Sequence, residues 1–147
     1  MSLLYIFNTI LVLNALWFGA GFWYFGIKSR QAAKLIIKKK NRSKPSFDIL
    51  AYSLKFLGGL NLAFAILSLA VLSQPSIFST TLQQAVFAGI FSFAHGTQFY
   101  LNLPIAIREY NHQPHVWPVL KGKMYFIFLV DATLCVLNLI FLFLAAQ

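Results

Sequence analysis

The sequence predicts an all-α protein, an integral membrane bundle of four transmembrane helices, from three observations. Charge is scarce: 10% of the 147 residues are charged and 59% are hydrophobic, against about 25% charged residues in a soluble domain. Four apolar segments exceed the ~20 residues needed to cross a hydrocarbon core of about 30 Å. Finally, lysine and arginine gather in two of the connections between those segments and are missing from the third connection and from both tails. Residues 1–147 read as a single four-helix membrane domain.

The first segment runs about Leu3–Ile27. It has no basic n-region, is too long for the apolar core of a signal peptide and lacks a small-x-small cleavage site, so it reads as a spanning helix. The second, about Asp48–Leu72, follows the turn signal Lys44-Pro45-Ser46, with Asp48 suited to a first helical turn. Ser73-Gln74-Pro75-Ser76 makes a short connection to the third, about Leu82–Ile107, where Pro104 predicts a kink. His112-Gln113-Pro114-His115 and Trp117-Pro118 break the chain before the fourth, about Met124–Ala146. Lys28–Lys40 holds neither Gly nor Pro. It predicts that the first helix continues beyond the bilayer or that a short helix lies on its surface.

Orientation follows from charge. Eight of the twelve Lys and Arg fall in Lys28–Lys44 and three in Arg108–Lys123, with Lys55 alone inside a segment. Positive residues stay on the cytoplasmic side. Loops 28–45 and 108–123 are therefore expected to be cytoplasmic, and both termini non-cytoplasmic, in a bacterial inner membrane or the endoplasmic reticulum. Trp23, Tyr24, Tyr52, Trp117 and Tyr125 lie where head-group-level rings are expected. The net charge of +9 belongs to spanning-helix flanks, which points to anionic lipid and away from nucleic acid. Lys34, Lys38, Lys39, Lys40, Arg42 and Lys44 are the expected head-group contacts.

Polar residues inside the segments are the candidate functional groups, because a charge at a helix centre costs about 2.5–3.5 kcal/mol. At 1.5 Å per residue, Lys55 and Asp131 lie ~10 Å from the basic side, Gln98 ~13 Å, and His95, Asn14 and Asn61 ~18–20 Å. The matched depths suggest a Lys55–Asp131 pair, with snorkelling of Lys55 as the alternative. His95, Gln98 and Asn102 share one helical face, as do Asp131, Cys135 and Asn138. Two such stripes predict a polar seam between the third and fourth segments. It either holds helices together or lines a pocket for a lipid, sterol, quinone or pigment. Gly59/Ala63, Ala85/Gly89 and Ser92/Gly96 are small-residue pairs suited to close helix packing.

The chemical inventory is thin. The single cysteine, Cys135, excludes an intrachain disulfide. No paired carboxylates, phosphate loop or metal-spaced cluster is present, so an enzyme is the minority reading and no cofactor is required. Haem or pigment at His95 is disfavoured, since bis-histidine ligation needs a second intramembrane histidine.

Phe91-Ser92-Phe93-Ala94-His95-Gly96-Thr97-Gln98-Phe99-Tyr100, together with size and four-helix layout, resembles the sterol C-4 demethylation scaffold family of the endoplasmic reticulum. Gln98 stands one place before that family's acidic residue, and the family's Arg-Thr-Phe-Gly segment has no counterpart between Asp48 and Phe56. The resemblance implies a non-catalytic tether that holds membrane enzymes together; a looser likeness to DoxX-type four-helix proteins implies only the layout. The expectation is an accessory or scaffold subunit of a larger membrane complex, partnered by lipids and by other membrane proteins or further copies of itself. The alternative is a stand-alone protein that binds or transforms a small hydrophobic molecule between the third and fourth segments.

Overall fold

A computed structural model describes residues 2–146. The described chain is all helical, with α1 (Leu3–Gly21), α2 (Ser29–Ile36), α3 (Pro45–Ser73), α4 (Thr81–Tyr110) and α5 (Gly122–Ala145). A π-helical segment, Phe22–Ile27, extends α1, so the first apolar stretch is continuous to Ile27. Three helices are long and apolar enough to cross a membrane: Leu3–Ile27, Pro45–Ser73 and Gly122–Ala145. These make the chain a membrane protein. The expected fourth span, α4, has the length at 30 residues but not the apolar character. Gln84, Ser92 and His95 sit on its buried side, so composition alone understates how well its polar groups are sheltered.

Local signals explain the helix ends. Ser2 caps α1 by accepting from the Tyr5 N–H. Thr80 and Gln83 form a reciprocal capping box at α4, satisfying two otherwise orphaned donors. Pro45 occupies the first turn of α3, where its missing N–H costs nothing. α4 continues through Pro104 as one helix. The segment after Ile27 resolves to the short-helix alternative: Lys28 breaks the helix (φ −97°, ψ 30°) and α2 follows. Ala33 of α2 packs with Phe47 and Ala51, so the first turns of α3 are covered by α2.

α1 packs against α3 and α5, and α5 against α4. The antiparallel course brings both basic connections to one end, where Lys123 Nζ lies 5.3 Å from the centre of the Tyr24 ring. The interior is layered along the bundle axis. Far from the basic end lies an aromatic core: Phe7, Phe18, Phe87, Phe91 and Phe141 are all buried, with Phe87 and Phe91 at 4.4 Å and Phe7 and Phe141 at 5.3 Å between ring centres. A polar layer follows, then a cavity.

The small residues divide by which way they face. Gly96 and Ser92 pack on α5: a Cβ on Gly96 would sit 3.1 Å from Cys135 Sγ, and Ser92 donates to the Cys135 carbonyl at 3.1 Å. Ala85 is buried, and Gly89 approaches Leu142. Gly59 and Ala63, by contrast, are exposed, with open space around Gly59. The close approach on α3 belongs to Gly58, whose Cβ would stand 2.4 Å from the Gly26 backbone.

Candidate functional site: a buried polar layer beside a cavity

Removing a polar side chain from water without a partner costs several kcal/mol in hydrocarbon. Asn14, His95 and Asn138 are each 0% exposed and Asp131 2%, so their partners are the first question. They satisfy one another. Asn14 Nδ2 donates to the Ile10 carbonyl at 2.8 Å, and Asn138 Nδ2 donates to the Leu134 carbonyl at 2.8 Å. These bonds fix both amides, which also share longer contacts of 3.3 and 3.4 Å across the α1–α5 interface.

The amide orientation then decides the histidine. With Asn14 Nδ2 directed to Ile10, Asn14 Oδ1 faces His95 Nε2 at 2.9 Å, and an oxygen can only accept. His95 Nε2 must carry hydrogen. The other nitrogen, Nδ1, lies 3.1 Å from Asp131 Oδ1, so a hydrogen bond between them takes one proton, carried by either the imidazole or the carboxyl. Phe18 stacks on the imidazole at 4.8 Å and 16°, keeping water from one face.

Asp131 Oδ1 accepts a second bond, 2.9 Å long, from Trp17 Nε1. Both hydrogen bonds to this carboxyl thus fall on one oxygen. Asp131 also lines a cavity of about 430 Å³, within the range of small-molecule sites. The wall is mostly apolar, from Trp17, Phe25, Phe126 and Ile127, with Asn61 and Gln98 as further polar groups and Lys123 towards the basic end. Trp23 and Phe126, both exposed, edge it.

The expected site residues therefore separate. Asn14, His95, Asp131 and Asn138 form one network; Asn61 and Gln98 meet it only across the cavity. Asn61 Nδ2 donates to the Leu57 carbonyl at 2.8 Å, and its Oδ1 occupies the space that a Cβ on Gly21 would need. Asn102 leaves the group: its Oδ1 accepts from Trp117 Nε1 at 3.1 Å, tying the second connection to α4. The expected Lys55–Asp131 pair is not formed. Asp131 pairs with His95, and Lys55 is exposed with its ammonium 4.6 Å from the Tyr52 ring centre. The cavity is also displaced from the expected seam. α1, its π-helical extension and α5 form most of its wall, and α4 contributes Gln98 alone.

Two basic-end groups have structural partners. Arg42 donates to the Ile37 and Lys34 carbonyls at 3.1 and 2.9 Å, closing the C-terminus of α2. Lys34, Lys38, Lys39, Lys40 and Lys44 remain exposed. Glu109 Oε2 accepts from the Val119 and Leu120 N–H groups at 2.6 and 2.8 Å. Burial pushes this carboxyl up, but those two N–H bonds and the nearby charges of His115 and Lys121 outweigh it and hold it below the ordinary carboxylate range.

Trp17 is the functional-layer residue that the sequence did not reveal; a tryptophan in an apolar run carries no sign of a hydrogen-bond duty. Both His95 nitrogens are engaged, so an axial haem bond would first have to displace Asp131 or Asn14. Among the described residues, no three His, Cys, Asp or Glu gather as metal ligands. Compared with known proteins, the chain matches no family model, no curated protein and no solved structure.

Proposed function

We propose that this is a four-span membrane protein, with both termini non-cytoplasmic, that binds a small hydrophobic molecule bearing a hydroxyl group in the cavity beside Asp131. The observation that carries the reading is the carboxyl at the cavity wall, held on one oxygen by His95 and Trp17. With both of these hydrogen bonds on Oδ1, the second carboxyl oxygen is left to accept from a ligand hydroxyl. Asn61 and Gln98 supply further polar contacts, and the aromatic walls take the apolar body. A hydrogen bond to a charged group contributes about 1.5–3 kcal/mol, or roughly 10- to 100-fold in affinity.

Trp17 and Trp23 line the cavity and serve as reporters. A brominated long-chain alcohol should quench their fluorescence saturably, at least tenfold more tightly than the brominated alkane of equal length. Asp131→Leu should erase that preference. Equal quenching by alcohol and alkane in both proteins would overturn the reading.

The accessory or scaffold subunit is the second reading. It draws support from Gly59 and Ala63, a helix-packing pair turned outward and left exposed among the described residues. Mild detergent extraction followed by mass analysis separates the two: stoichiometric partner proteins favour the subunit, and a lone protein retaining one hydroxyl-bearing lipid favours the pocket.

A further inference from the structure

The chain holds three carboxylates, Asp48, Glu109 and Asp131, and all three are occupied. Asp48 pairs with Arg30, Glu109 binds two backbone amides, and Asp131 holds His95 and Trp17. Lys28 and Lys55 have no anionic partner among the described residues, yet they border one groove. That groove, of about 300 Å³, lies at the corner where the π-helical segment ends, α2 begins and α3 passes. Lys28 Nζ stands 5.4 Å from the Trp23 ring centre, and Lys55 Nζ 4.6 Å from that of Tyr52. Both are held on rings suited to the head-group level.

A neutral polar group lies in the same groove. Ser29 is only 4% exposed and lines the groove, and its hydroxyl makes no hydrogen bond within the described residues. It is not sealed off either, since the Glu109 Oε1 atom is the only fully enclosed side-chain oxygen or nitrogen left without a partner there. Ser29 also opens α2, so the positive end of that helix dipole faces this corner.

Two cations without anionic partners, a buried hydroxyl without a hydrogen bond among the described residues, and a helix N-terminus around one groove describe an anion site. We propose that this groove binds a phosphate group, with Lys28 and Lys55 as counter-charges and Ser29 as hydrogen-bond donor. The phosphate of an anionic phospholipid and a free phosphate share this chemistry. None of these residues lines the cavity at Asp131, so the site stands or falls separately from that reading.

The test is native mass spectrometry of the full-length protein in detergent with added phosphatidylglycerol or phosphatidylcholine. One phosphatidylglycerol should be retained under conditions that strip phosphatidylcholine. Lys28→Gln with Lys55→Gln should lower that retention at least tenfold, and Ser29→Ala several-fold. Arg108→Gln with Lys121→Gln removes the same charge from exposed positions on the other basic connection and should leave retention unchanged. Displacement of the lipid by low-millimolar inorganic phosphate assigns the site to a soluble phosphate, and resistance assigns it to the lipid. Equal losses from the two double variants, or no preference for phosphatidylglycerol, would overturn the proposal.

Discussion

If one proton is shared between His95 Nδ1 and Asp131 Oδ1, the two residues should be coupled more strongly than an ordinary hydrogen bond allows. Consider His95→Leu, Asp131→Leu and the double variant. Were each contact a neutral bond, the interhelical average of about 0.6 kcal/mol in membranes would apply. Each single variant would lose two bonds, and the coupling would equal the one shared bond. The structure argues otherwise. Removing His95 leaves Asp131 buried with only the Trp17 N–H, and breaking a buried pair by deleting one partner costs about 3–5 kcal/mol. Removing Asp131 is gentler, because a neutral imidazole can keep its Nε2–H on Asn14. His95→Leu should therefore be the costlier single change, at about 3 kcal/mol or more. The double variant should be more stable than additivity predicts by about 2 kcal/mol. Reversible unfolding in mixed micelles with rising dodecyl sulfate reads all three. A coupling no larger than one neutral bond, or Asp131→Leu proving the costlier change, would refute the shared-proton account.

Gly58→Ala places a methyl 2.4 Å from the Gly26 backbone and should destabilise by about 3 kcal/mol through forced separation of the helices. Gly59→Ala meets open space and should be neutral or stabilising by up to about 1 kcal/mol from helix propensity; the same micelle titration compares them. Glu109 is held below the ordinary carboxylate range, so its anchoring of the second connection is present above that range and lost as pH falls through its depressed value. The hydrogen-exchange protection of the Val119 and Leu120 amides, taken relative to the intrinsic rate at each pH, should therefore be high at neutral pH and fall in strong acid, and Glu109→Ala should remove it at neutral pH. In a Cys135→Ser background, Ser76→Cys should react with an impermeant maleimide on intact cells, whereas Ser43→Cys should react only after permeabilisation; the reverse pattern would invert the proposed topology.

What the sequence made legible was whatever hydrocarbon makes expensive. The long apolar runs located α1, α3 and α5 within a few residues, and the cost of burying polar groups singled out Asn14, His95, Asp131 and Asn138. Partnership was not legible, because it depends on helix rotation and on where each helix enters the bundle. Lys55 and Asp131 match in depth only if α3 is counted from Asp48. Its first turns instead pack on α2, which brings Lys55 level with Lys28 at the groove. Gly58 and Gly59 are indistinguishable in a sequence, yet a rotation of about 100° makes one a helix contact and the other open surface. His95, Gln98 and Asn102 share a stripe but reach three destinations: the network, the cavity wall and Trp117.

The π-helical segment connects these features physically. Its hydrogen bonds run five residues back, as in Lys28 N–H to the Trp23 carbonyl at 2.9 Å, so the helix is widened and its side chains rotate out of α-helical register. On one flank Gly26 meets Gly58, drawing α3 to backbone contact. On the other, the consecutive residues Trp23, Tyr24 and Phe25 all line the cavity, which is hard to arrange on the 3.6-residue period of an α-helix. Where the segment ends, Lys28 breaks the chain and the basic groove begins. The same local geometry thus closes the α1–α3 interface, holds space open against α5 and sets the corner where Lys28 and Lys55 converge.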